Sequence, residues 1–192
     1  MNKKVIVVGL SGATGVNLGV KILQILSKLD VEVHLIISNY AKILLKHELN
    51  IDYKELLQYV DHYHDNKNLS ASIASGSFIV DSMIVAPCSI NTLSKIANCN
   101  TDNLIARAAD VNLKERKKLI LAVRETPLSY SHIKLMESIT LSGGIIAPPV
   151  MGSYHHPKSI DEVFNHIAGR IVDLTGIDHS FIDRWNGLKE KH

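Results

Sequence analysis

The stretch RAADVNLKERKKLILAVRETP, residues 107–127, decides the fold. At its centre, 119–123, five apolar residues run without interruption between charged flanks. Such a run reads as a strand buried on both faces of a parallel sheet, because a half-exposed strand would alternate apolar and polar residues. Arg124 and Glu125 follow directly at its carboxyl end, and Arg107 and Lys114 precede it. In open α/β sheets, ligands collect outside the carboxyl ends of the strands. An arginine and a glutamate there, with two cations upstream, predict a site that grips an anion and moves a proton.

Outward from this strand, apolar runs at 5–10, 31–37, 83–86 and 144–147 predict its neighbours. Helical patterns at 16–29, 40–48, 89–98, 102–111, 132–141 and 160–174 separate them. Short apolar runs alternating with longer helical patterns signify βαβ units and a parallel sheet. The 16–29 helix is apolar on nearly every face and is expected to be well buried; 160–174 carries one stripe of Ile160, Val163, Phe164, Ile167 and Ile171. Asp102 is the expected N-cap of its helix. A chain of 192 residues with 46% hydrophobic content suits one domain, expected over 1–188, with 189–192 a frayed tail.

Composition excludes several function classes. A net charge of +2 and 5% aromatic residues give neither a basic face nor an aromatic ladder for nucleic acid. No run approaches the roughly 18 apolar residues of a membrane span. The first apolar run is interrupted by Gly9 and too short for a signal core. Cys88 and Cys99 fit no disulfide framework and no zinc spacing, and read as reduced thiols. A soluble cytoplasmic protein is the expectation.

The junction after the first strand, Gly9-Leu10-Ser11-Gly12-Ala13-Thr14-Gly15, is spaced G-x-x-G-x-x-G. Glycines let a backbone approach a ligand, and the following helix N-terminus offers free N–H groups to a phosphate. The dinucleotide fingerprint is G-x-G-x-x-G, and a nicotinamide site also wants an acidic residue after the second strand. Here that place holds Ser38. A tight turn alone would explain the glycines; taken with Ser38, they favour a mononucleotide such as FMN. A serine-hydrolase elbow fits poorly, because Ala13 stands where the second glycine belongs.

A second strand-to-helix junction, Ala86 to Thr92, places Ser89 as a helix cap with Ile90, Asn91 and Thr92 in the first turn. Capping alone would explain Ser89; lying beside the glycine loop, the junction could also supply donors to its ligand. Arg107 with Asp110, and Arg170 with Asp173, have the spacing of ordinary helical ion pairs. Glu48 alone would pass as a surface residue, whereas Glu125 abuts a buried strand end. Trp185 reads as tail docking or as a ring lining a cationic site. His62 and His64 share one face of an extended segment and His155-His156 adjoin Pro157, but no carboxylate or cysteine completes either pair at a recognised spacing. No metal is expected.

The segments GLSGATG at 9–15, ASIASGSF at 71–78, APCSINTLSKIA at 86–97, DNLIARAADVNLKERKKLIL at 102–121 and RETPL at 124–128 occur in this order. Tyr154-His155-His156-Pro157 and Arg184-Trp185 continue the pattern. In these segments the chain resembles the UbiX family of flavin prenyltransferases over nearly its whole length. The resemblance implies a single-domain flavodoxin-like or Rossmann-like α/β fold that binds FMN. It implies transfer of a dimethylallyl group from dimethylallyl monophosphate to reduced FMN, closing a fourth ring. The prenylated FMN would serve partner decarboxylases of the UbiD family. Members form homo-oligomers, typically dodecamers, with sites at subunit interfaces. Carried over by position, Gly12, Ala13, Thr14, Ser38, Ser89, Ile90, Asn91, Thr92 and Arg124 would hold FMN. Arg107, Lys114, Tyr154 and Arg170 would hold the prenyl phosphate. Glu125 and Glu48 would manage protons, and Lys114 and Trp185 would assist the chemistry, Trp185 beside the allylic cation. Thr14 stands where many members have serine, and Ser153 where the family often has phenylalanine. Two other readings share the fold: a flavin-dependent cysteine decarboxylase, whose P-x-M-N-x-x-M-W clamp is missing from this sequence, and a non-catalytic flavin carrier.

Overall fold

The strand at the heart of the opening stretch runs from Lys118–Val123 and is flanked on both sides by other strands, as its unbroken apolar character requires. The computed structural model describes residues 3–187. Its strands are β1 (Lys4–Leu10), β2 (Val31–Ile37), β3 (His62–Asp65), β4 (Ser82–Cys88), β5 (Lys118–Val123) and β6 (Ile145–Ile146). They form a single sheet in the order β3-β2-β1-β4-β5-β6, and every neighbouring pair is parallel. This is the Rossmann order, in which the chain reverses its direction of growth between β1 and β4. That order selects one of the two expected variants, Rossmann-like over flavodoxin-like.

Six helices cover the faces: α1 (Asn17–Leu26), α2 (Asn39–Leu49), α3 (Ile90–Ala97), α4 (Leu104–Lys114), α5 (Tyr130–Leu141) and α6 (Ile160–Asp173). Alternate strand residues point to opposite faces, so the sheet divides two cores. One packs Ile6, Val8, Val33 and Leu35 against α1 and α6; the other packs Val7, Met83, Leu119 and Leu121 against α3 and α4. Helix α1 is buried along most of its length, as its all-round apolar sequence predicts, and Gly19 makes this possible. A Cβ at Gly19 would stand 2.5 Å from the Ala86 carbonyl oxygen.

Two expectations are corrected. Asp102 does not cap α4: the Asn103 side chain accepts from Ala106 N, and Asp102 instead pairs with Lys95. The helix expected over 16–29 ends at Leu26. The extended segment expected around His62 and His64 is an edge strand, His62–Asp65, although it carries no apolar run. The tail expected at 189–192 lies outside the described residues.

Candidate active site

Ser11, buried within the glycine loop, locks the turn after β1 to the turn after β4. Its hydroxyl donates to the Pro87 carbonyl (2.9 Å) and accepts from the Ser89 amide (2.8 Å), while Ser11 N donates to the same carbonyl (3.2 Å). The two turns are thereby held side by side at the point where the strand order reverses. Gly12 lies against α2, where a Cβ would stand only 2.5 Å from Tyr40 Cβ. The N-cap position of α1, Val16, has no side-chain acceptor of its own. Glu48, reaching from the far end of α2, supplies it: Oε2 accepts from Gly15 N (2.9 Å) and Val16 N (3.2 Å). An anion there also meets the positive end of the helix dipole. The carboxylate expected to manage protons is bound to the loop.

Beyond the carboxyl ends of β1 to β4 opens a crevice of about 530 Å³, lined by Gly12, Ser38, Asn66, Ser89, Asn91 and Thr92 among others. Ser38 caps α2 by accepting from Ala41 N (3.1 Å), and Ser89 caps α3 by accepting from Thr92 N (3.2 Å). Capping and crevice lining are therefore compatible roles of the same hydroxyls. Ile90 packs partly into the second core and steadies this turn. The crevice volume is within the usual range for small-ligand sites. Its hydroxyls, amides and helix N-termini suit the phosphate and polar ring edge of a mononucleotide. Cys88 is buried beside this junction; burial pushes its thiol up to about 12 against a backbone hydrogen bond from Leu93, so it offers no thiolate nucleophile.

On the other side of the glycine loop lies a second cavity of about 380 Å³, lined by Thr14, Pro87, Arg124, Met151 and Phe164. It is more apolar than the first. Arg124 N donates to Cys88 O (3.0 Å), which fixes the backbone while the side chain stays exposed. Glu125 is exposed and accepts from Thr126 N (2.9 Å). A third cavity, of about 350 Å³, shares Met151 and Ile167 with the second and contains Tyr154 and Arg170. Tyr154 Oη lies 2.8 Å from His166 Nε2, and the Trp185 ring meets the Tyr154 ring edge-on at 5.6 Å. Burial lowers the pKa of His166, helped by neighbouring His155 and Arg170, so this ring favours its neutral form. Burial alone would raise the Asp173 carboxyl, but hydrogen bonds from Arg184 and Arg170 hold it below its usual value. Arg170 Nη1 lies 2.7 Å from Asp173, the helical pair that its spacing suggested.

Within one chain, Arg107 and Lys114 do not join Arg124 and Glu125, contrary to the first reading of the stretch. Arg107 Nε donates to Ala74 O (3.0 Å) and Nη1 pairs with Asp110 (3.2 Å). Lys114 ends α4 just before β5 begins and pairs with Glu115 (2.5 Å). Arg124 follows the opposite end of β5, and six strand residues separate the two edges by about 20 Å. Sequence adjacency misled because a strand carries its two flanks to opposite edges of the sheet. Ser11, Asn66 and Asn103 were not singled out from sequence; a small hydroxyl inside a glycine loop was the one available signal.

A model of the flavoprotein family matches residues 1–168 of the chain. Over 186 residues the chain is 45% identical to a protein of Bacillus subtilis (strain 168) named a probable UbiX-like flavin prenyltransferase, covering 97% of this chain and 91% of that one. The fold is similar to that of a UbiX protein crystallised with FMN and dimethylallyl pyrophosphate: TM-score 0.96, 41% identity, 98% of this chain and 100% of that one. A dodecameric FMN-dependent UbiX-like decarboxylase from Escherichia coli O157:H7 is similar with TM-score 0.93 and 40% identity, covering 95% and 100%.

Proposed function

Since the chain belongs to the flavoprotein family, and within it to the UbiX flavin prenyltransferases, we propose that it joins a dimethylallyl group to reduced FMN. One observation carries the assignment: the glycine loop divides a polar crevice at Gly12 from an apolar cavity at Thr14, only two residues apart. A reaction between two ligands, one polar and one prenyl, needs a polar and an apolar pocket that adjoin closely enough for the ligands to meet. Gly12, Ala13, Ser38, Ser89, Ile90, Asn91 and Thr92 hold FMN in the crevice, with Thr14 and Arg124 at its boundary. When bound, reduced FMN supplies the nucleophilic central-ring nitrogen and the neighbouring carbon.

The chemistry asked of the protein follows from the bonds that change. Breaking the allylic carbon–oxygen bond leaves a phosphate anion, which guanidinium and ammonium groups stabilise through charge-assisted hydrogen bonds. Tyr154 and Arg170 supply donors beside the apolar cavity. Arg107 and Lys114 reach that phosphate from a second copy of the chain, since their own copy carries them elsewhere. The Trp185 ring, held against Tyr154, stabilises the allylic cation. Glu125 removes the proton that ring closure releases. Glu48 serves by fixing the loop against which both ligands lie. The donor is dimethylallyl monophosphate, the product goes to a UbiD-type decarboxylase, and the assembly is a homo-oligomer of dodecamer type in the cytoplasm. No helix among the described residues is long and apolar enough to cross a membrane.

Anaerobic incubation with reduced FMN and dimethylallyl monophosphate should give a flavin heavier by one prenyl unit, seen by mass spectrometry of the extracted flavin. An unchanged flavin mass under these conditions overturns the assignment. Product from the pyrophosphate alone would keep prenyl transfer but replace the donor.

A further inference from the structure

At the outer edge of the sheet, away from the crevice, four ligating side chains converge that the flavin chemistry does not use. Strands β2 and β3 run parallel with His34 beside His62. Because strand side chains alternate, Glu32, His34, His62 and His64 all project from the same face of this pair. His34 is buried, with its ring edge-on to Phe78 at 5.4 Å. Glu32 Oε1 is the hub: it lies 2.9 Å from His34 Nε2 and 3.3 Å from His62 Nε2. One ligand atom from each of these three residues lies within 4.8 Å of the others. On its other side, His34 Nδ1 is 2.9 Å from His64 Nε2.

We propose that Glu32, His34 and His62 form a site for a divalent transition metal, zinc foremost, with His64 as the outer partner that orients His34. Tetrahedral zinc with bonds of about 2.0–2.1 Å places its ligand atoms about 3.3 Å apart, close to the spacing found around Glu32 Oε1. Two imidazoles and one carboxylate suit zinc and its neighbours rather than magnesium or calcium, which prefer oxygen ligands. A histidine that binds metal through Nε2 keeps its proton on Nδ1, and His64 stands where that proton must be accepted. Entry is open, since His62 and Glu32 are partly exposed while His34 forms the buried floor. A metal here clamps the short edge strand β3 to β2. Asn66 and Lys67, which directly follow β3, line the crevice, so the ion stiffens that wall from outside.

The test uses full-length, untagged protein, stripped by chelator and titrated with zinc alone. One zinc per chain should bind, raise the melting temperature, and be replaceable by cobalt with visible absorption of a low-coordinate site. The double variant Glu32→Gln/His62→Ala should bind zinc at least about 100-fold more weakly, and His64→Ala about tenfold. Both should retain FMN binding, which reports folding, and prenyl transfer. Equal zinc affinity in wild type and double variant overturns the proposal, as does a wild type that takes up no zinc at micromolar concentrations. The first of these results would mean binding elsewhere, as at His155 and His156. The second would mean that the cluster is only a hydrogen-bonded network.

Discussion

The Ser11 hydroxyl both donates to Pro87 O and accepts from Ser89 N, so its removal leaves the part-buried Ser89 amide without its partner and Pro87 O with only the bond from Ser11 N. Each such loss costs about 1–3 kcal/mol. Ser11→Ala is therefore expected to lower stability by roughly that amount, measured by urea unfolding, and to weaken FMN binding because the two turns are no longer held together. Asp173 acts at the same scale through charge. Its folded pKa is depressed, so its contribution to stability is full above the unfolded value near 3.9 and is lost as pH falls through the folded one. Asp173→Asn should flatten the decline in melting temperature below about pH 4. His166 is also depressed, so its contribution is lost when pH falls below about 6.5. At neither residue did sequence reveal the effect: i,i+3 spacing identified the Arg170–Asp173 pair, but Arg184 joins it from 11 residues away through the fold.

At the scale of elements, apolar patterning placed β1, β2, β4 and β5 because their hydrophobic runs are direct consequences of burial on both faces. The polar strand β3 lacks that signal, since an edge strand is held by backbone bonds to one neighbour and leaves its side chains partly free. Caps followed the same division. Ser38 and Ser89 cap within their own turns and are readable locally. Glu48 caps α1 from 32 residues away and is not. Glu48→Gln should keep the side-chain length but lose the charge opposite the helix dipole. Stability should fall by about 0.5–1 kcal/mol, and FMN affinity should fall with it, as checked by thermal melts and flavin fluorescence titration. Unchanged affinity would show that the Glu48 charge does not act on FMN through the loop.

At the scale of the whole molecule, the parallel sheet puts Arg124 and Glu125 at the ligand edge and Lys114 at the opposite edge. If Lys114 holds the prenyl phosphate, as proposed, the grip is completed by a second copy of the chain. Lys114→Ala and Glu125→Gln should each be nearly inactive as pure assemblies. Mixed assemblies of the two should recover part of the activity, because some interfaces join an intact Lys114 to an intact Glu125. No recovery in refolded mixtures would place the site within one chain. What the sequence determined by itself was local in origin. Apolar periodicity, glycine spacing and serine caps depend on neighbours a few residues apart, and they carried the fold class, the Ser38 and Ser89 caps and the position of Arg124 and Glu125 after a buried strand. The tertiary structure alone decided which distant groups meet. It selected the Rossmann order, brought Ser11 to Pro87 and Glu48 to the α1 N-terminus, gathered Glu32 to the histidines, and parted Lys114 from Arg124. The physical reason is that the order of the strands and the packing between distant elements set those distances, and neither is written in the spacing of residues along the chain.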